Sequence, residues 1–79
     1  MSMVGFYRAT VVNNIDPMAQ LRLKVVVPSV SDIISDWAPG CLPVGRKTVP
    51  KVGSTVWVTY EAGDPNRPVW VGVLLSGPL

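Results

Sequence analysis

The run VWVTYEAGDPNRPVWVGVLL, from Val56 to Leu75, decides how this chain folds. Two apolar, β-branched stretches flank a small polar knot, and each stretch carries a tryptophan. Val56, Val58 and Tyr60 share one face of the first stretch. Val69, Val71 and Val73 share one face of the second, with the period of two that a strand imposes. The knot has the chemistry of a shaped turn. Gly63 takes a positive φ without steric cost, and the Asp64 carboxylate can bind backbone N–H groups just ahead. Pro65 and Pro68 stiffen the arc, with Asn66 and Arg67 at its tip. With the valines inward, Trp57 and Trp70 both point outward. Each indole brings on the order of 150–250 Å² of mostly apolar surface, so an exposed pair calls for a covering chain. A loop already fixed in shape lowers the entropy cost of contact. Trp57, Trp70, Gly63, Asp64, Pro65, Asn66, Arg67 and Pro68 are therefore the candidate protein interface. On this reading Trp70→Ala weakens assembly more than it unfolds the monomer.

Upstream the same punctuation continues. Eight prolines and seven glycines interrupt the chain every few residues, and valine dominates the apolar set, which is the composition of short strands and turns. In the run Val4 to Asn13, Tyr7, Ala9 and Val11 share one face and Phe6, Arg8 and Thr10 the other. NNIDP makes a turn at Asp16 and Pro17. QLRLKVVVP alternates Leu21, Leu23, Val25 and Val27 with Gln20, Arg22, Lys24 and Val26, and Pro28 ends it. Ser29 to Pro43 reads as a crossing connection, with Ser31 or Asp32 capping one short helical turn and a short strand near Gly40 to Pro43. KVGST, which follows Pro50 and contains Gly53, is a turn. The expected architecture is all-β: a small five-stranded Greek-key barrel with at most one short helical turn between strands 3 and 4. That is the layout of an oligonucleotide/oligosaccharide-binding (OB) fold. An SH3-like barrel fits the pattern nearly as well.

Size and composition point outward too. The 79 residues make one domain, spanning 1–79. A domain this small buries only about 60% of the surface its unfolded chain exposes. One cysteine excludes an internal disulfide, and the absence of histidine excludes the ordinary zinc ligand sets. Only 15% of the residues are charged while 48% are hydrophobic, so some apolar surface is left over for other chains. No basic leader precedes an apolar run, and no stretch approaches the roughly 18–20 apolar residues of a membrane span. No membrane insertion is expected.

Catalysis finds little support. The five carboxylates, Asp16, Asp32, Asp36, Glu61 and Asp64, read as turn and cap residues rather than as a pair across a cleft. Cys41 has no histidine to activate it and reads as a buried, inert thiol. No metal ligand set, phosphate-cradling glycine run or cofactor site is present. Nucleic acid is the rival partner, because OB folds bind single strands through aromatics on a basic groove. Arg8, Arg22 and Lys24 can share an outer face, and Arg46, Lys47 and Lys51 form a second basic group. The net charge of only +2, with no basic run beyond two residues, argues against it. A third class is an SH3-like adaptor that binds peptides through its aromatics.

YRATVVNNIDPMAQLRLKVVVPSV followed by VPKVGSTVWVTYEAGDPNRPVWVGVL resembles the N-terminal OB-fold domain of the central spike proteins of contractile tails. These include phage baseplate assembly protein V, the cell-puncturing lysozyme spike of T-even-type phages and the valine-glycine-repeat spikes of type VI secretion. The shared parts are Asp16-Pro17, the basic alternating strand Arg22 to Pro28, Trp37, the turn Pro50 to Gly53, and Gly63 to Gly72. The resemblance implies a non-enzymatic adaptor joining spike to hub at the end of the tail tube. It implies a homotrimer or equivalent ring, located in the virion after synthesis in the host cytoplasm. Such relatives continue into a lysozyme domain or a β-helix, whereas this sequence stops at LLSGPL. The expectation is that spike and lysozyme reside on separate partner proteins.

Overall fold

The computed structural model describes residues 2–45 and 47–75. Its strands are β1 (Tyr7–Asn13), β2 (Lys24–Val26), β3 (Thr55–Tyr60) and β4 (Pro68–Val73), with one 3-10 turn at Glu61–Gly63. They form a four-stranded antiparallel sheet in the order β2-β1-β3-β4. The fold is all-β, and among the described residues there is no α-helix.

The expected fifth strand is present only as two isolated bridges. Leu23 pairs antiparallel with Ala38, and Gly40 pairs parallel with Trp70. Four backbone hydrogen bonds hold this segment: Leu23 and Ala38 exchange N–H donors, Cys41 N donates to Trp70 O at 2.8 Å, and Trp70 N donates to Pro39 O at 3.0 Å. One short piece of chain thus touches both edge strands of the sheet. Pro39 and Pro43 limit the ladder it can build, since proline supplies no N–H.

The helical turn expected within Ser29 to Trp37 is absent there. Val30 N and Ser31 N both donate to Val27 O, closing a single turn, and Ser35 N returns to Val25 O. The one 3-10 turn sits instead at the tip of the β3–β4 hairpin, where Ala62 takes φ 52°.

β2 is also shorter than its alternation suggests. Leu21 adopts φ 59° and Ala19 φ 53°, left-handed values that interrupt a strand. The cause is Asp16. Its carboxylate accepts from Met18 N at 2.8 Å, Gln20 N at 3.1 Å and Arg22 N at 3.3 Å. It also takes both prongs of Arg22, Nε at 2.8 Å and NH2 at 2.9 Å. Residues 16–22 curl around this one side chain, which is only 3% exposed.

The core contains Ala9, Val11, Leu23, Val25, Val56, Val58, Tyr60 and Trp70. The inward faces of β1 and β3 follow the sequence alternation. Tyr60 meets Tyr7 edge-on, ring centroids 5.4 Å apart, and burial pushes its phenol pKa up.

β4 departs from the expectation. Val58 pairs with Trp70 and Val56 with Val73, while Trp57 pairs with Gly72. One step on β3 between Trp57 and Val58 matches two on β4, so Val71 is the extra residue of a β-bulge. Partners in an antiparallel pair lie on one side of the sheet. Trp70 therefore joins Val58 in the core, 2% exposed, while Val69, opposite Thr59, lies on the outer side. The reading that the valines of β4 share an inward face and Trp70 points out is overturned by this register.

Trp70 fills its pocket tightly. The indole N–H donates to Leu21 O at 3.1 Å. A Cβ added at Gly40 would stand 2.9 Å from Trp70 Nε1 and 3.0 Å from Cε2, closer than real side chains come. Gly40→Ala is expected to destabilise the fold by about 1–3 kcal/mol, the usual cost of overpacking a filled core. Urea unfolding measures it. An unchanged midpoint would mean that the indole can slide without cost.

Candidate functional site

The hairpin tip is rigid for local reasons. Asp64 Oδ1 accepts from Asn66 N at 2.9 Å, Arg67 N donates to Asp64 O at 2.9 Å, and Glu61 N donates to Arg67 O at 3.0 Å. Gly63 takes φ 74°. Arg67 lies 3.8 Å from Glu61 and 3.7 Å from Asp64, but these groups are largely exposed and such pairs add little stability. The N-terminal segment straps one side of the hairpin, with Met3 N on Gly63 O at 2.9 Å and Thr59 Oγ1 on Gly5 O at 3.1 Å.

The eight candidate interface residues are thus not one surface. Pro65, Asn66 and Arg67 are exposed, Gly63 and Asp64 are half-buried, and Pro68 is buried beside Tyr60. Trp57 lies half-buried on the outer face of the sheet, with Arg8 of β1 opposite it and the Arg8 guanidinium 5.6 Å from its ring. Trp70 is in the core and unavailable to a partner. Asp16 and Pro17 lie in the β1–β2 loop. Pro50 O accepts from Asn14 Nδ2 at 2.9 Å, and Gly53 takes φ 93° in the turn before β3.

Trp37, the third tryptophan, is half-buried under Arg22 and Lys24, whose charged groups sit 5.8 and 5.2 Å from its ring. The outer basic residues identified in the sequence are therefore stacked on indoles, Arg8 on Trp57 and the other two on Trp37. Arg22 is further fixed by Asp16, which raises the guanidinium pKa. In return the Arg22 hydrogen bonds hold the Asp16 carboxyl well below the usual carboxylate range, against the opposing effect of desolvation.

The apolar surplus is real but lies elsewhere than in the paired tryptophans. Val4, Phe6, Ile15, Ile33, Val44 and Leu75 are all more than 60% exposed. A groove of about 430 Å³ runs between the segment that follows β2 and the hairpin tip, lined by Val27, Val30, Ile33, Ile34, Tyr60 and Pro65. A second, of about 420 Å³, lies between residues 42–43 and 48–50 on one side and the end of β4 on the other. Sequence reading missed Ile33 and Ile34. The signal was the adjacent apolar pair in SDIISD, which no single face of a strand can bury.

Cys41 is exposed, not buried as expected. Its backbone bridges β4, but its side chain faces away from the core. Among the described residues no three His, Cys, Asp or Glu side chains gather as a metal site.

A family model described as the type VI secretion system/phage-baseplate injector OB domain matches residues 7–75. No curated protein matches the chain.

Proposed function

Because the chain belongs to the type VI secretion and phage-baseplate injector OB-domain family, we propose that it is a non-enzymatic adaptor of a phage tail baseplate. In this role it connects hub and central spike at the end of the tail tube. The segment Ala38 to Cys41, touching both edge strands, is read as the short fifth strand of a closed barrel. The barrel works by rigidity: it fixes the relative position of the proteins it joins.

One observation supports a docking role above the others. After the core is filled, large apolar side chains remain at the surface, with Ile33 and Val4 about 80% exposed. On a chain this small, such surface is expected to be covered by other proteins. Self-association as a trimer about the tail axis, and contacts with hub, tube and separate spike or lysozyme proteins, would cover it. The site of action is the virion.

The test is co-purification with neighbouring tail proteins at low and at high salt, with the mass of each complex determined. A complex that persists at high salt supports burial of apolar surface. Binding to single-stranded DNA that falls steeply with salt, through counterion release, together with no tail-protein complex, would transfer the role to nucleic acid.

A further inference from the structure

The face of the sheet turned away from the core is partly open. Thr10 pairs with Val26 on one side and with Thr55 on the other, and Arg8 pairs with Trp57. Cross-strand partners share a side, so these residues lie together, opposite the core residues Ala9, Val25, Val56 and Val58. Lys24, two residues from Val26, joins them by strand alternation. Arg8 and Thr10 are exposed, and Lys24, Thr55 and Trp57 are half-buried.

The charge on this face has one sign. The four strands contain Arg8 and Lys24 and no Asp or Glu. Among the described residues the ion pairs engage Arg22 and Arg67, and neither Arg8 nor Lys24. Arg22, which shares Trp37 with Lys24, is already held by Asp16 and lies in the field of Asp36. Each remaining cation rests on an indole, Arg8 at 5.6 Å from Trp57 and Lys24 at 5.2 Å from Trp37. The ring holds the cation in place and lowers the entropy cost of engaging it. Lys24 pairs with Asn13 at the other end of β1 from Arg8, so the backbones carrying the two cations stand roughly 17 Å apart. Beside Arg8 is a hollow of about 450 Å³, lined also by Thr10, Pro28, Thr55 and Leu74. Two hydroxyl donors thus accompany the guanidinium against an apolar wall.

We infer that this face binds an extended, acidic segment of a partner protein. One carboxylate meets Arg8 in the hollow of Thr10 and Thr55, and a second, about five residues along an extended chain, meets Lys24. Charge complementarity sets the sign of the occupant, and the strands offer no carboxylate of their own to compete with it. A peptide fits better than single-stranded nucleic acid. Base stacking needs an open aromatic face, whereas both indoles are half-buried and each already carries a cation. This contact is polar and weakened by salt. It adds to the apolar contacts proposed above and stands without them.

The test uses the full chain, labelled with nitrogen-15, and an oligo-glutamate peptide of about ten residues, long enough to span both cations. At low salt the amide shifts are expected to concentrate on Arg8, Thr10, Lys24 and Thr55 and on the indole N–H groups of Trp37 and Trp57. Arg8→Glu and Lys24→Glu should each weaken binding about fivefold. Lys47→Glu makes the same change in net charge on an exposed residue outside the strands and should weaken it less than about twofold. Circular dichroism checks that each variant is folded. Arg8→Gln and Lys24→Gln, which keep part of the stem over the ring, replace any charge reversal that unfolds the chain, with an expected loss of about twofold to threefold. Equal losses from Lys47→Glu and the face variants would show that net charge alone draws the peptide, and the inference would fall. Shifts elsewhere on the chain, or no binding at low salt, would overturn it too. Tighter binding of a thymidine oligonucleotide of similar length, with the same shifts, would give the face to nucleic acid instead. None of these results bears on complexes that persist at high salt, so the apolar docking proposed above is tested separately.

Discussion

Trp70→Ala is expected to remove a large part of the protein's folding stability. The indole is 2% exposed, pairs with Val58 across the sheet and donates to Leu21 O at 3.1 Å. Removing a buried Trp side chain costs about 3–5 kcal/mol. At roughly 0.05–0.15 kcal/mol per residue, 79 residues hold only about 4–12 kcal/mol in total. The variant should unfold at a markedly lower urea concentration and melting temperature than the wild type. Trp70→Phe retains much of the apolar volume but leaves the Leu21 carbonyl without its donor. It should cost about 1 kcal/mol or somewhat more, for leaving a half-buried acceptor without its donor. Trp57→Ala is the control: a half-buried ring on the outer face, covered by Arg8, whose loss should leave the chain folded. A Trp70→Ala protein as stable as the wild type would show that the β3–β4 register described above is wrong.

The second large effect is expected at Asp16. Asp16→Ala removes the acceptor for three backbone N–H groups and the partner of Arg22 in one step. The left-handed turns at Ala19 and Leu21 lose what holds them, and Leu21 O is the acceptor for Trp70. The melting temperature should fall by on the order of 10 °C, given how steeply Tm responds in a domain this small. The acid limb carries a matching signature. The folded-state pKa of Asp16 is depressed, first by the Arg22 hydrogen bonds and then by the backbone donors. Its stabilisation is therefore fully present above the ordinary carboxylate pKa near 4. It is lost as pH falls from there toward the depressed value, because the unfolded chain takes up the proton first. Thermal melts from pH 7 to pH 2 should show the gap between wild type and Asp16→Ala narrowing only below about pH 4. A gap that stays constant across that range would mean that the carboxylate charge contributes nothing to the turn.

These two residues also mark how far local reading extends. Alternation within a strand is local, so the inward faces Ala9 and Val11 of β1, and Val56, Val58 and Tyr60 of β3, were legible in the sequence. Turn chemistry is equally local, and Asp64 holding the N–H of Asn66 depends only on neighbours two residues apart. The phase of β4 relative to β3 is not local. It depends on the register across the hairpin and on the extra residue at Val71, and a shift of one residue moves a side chain to the other face. The candidate interface was read on the wrong side at Trp70 for that reason. The exposed grooves were not legible either, because they lie between segments that only the fold brings together.

The sequence by itself determined an all-β chain of short antiparallel strands, a stiff hairpin tip, and more apolar surface than so small a core can hide. Those properties follow from residue type and spacing, which act over a few residues. Only the tertiary structure decided which tryptophan fills the core. It also decided that Gly40 must lack a side chain. Each of those depends on contacts between distant segments, where close packing leaves room for one arrangement and no periodicity records it.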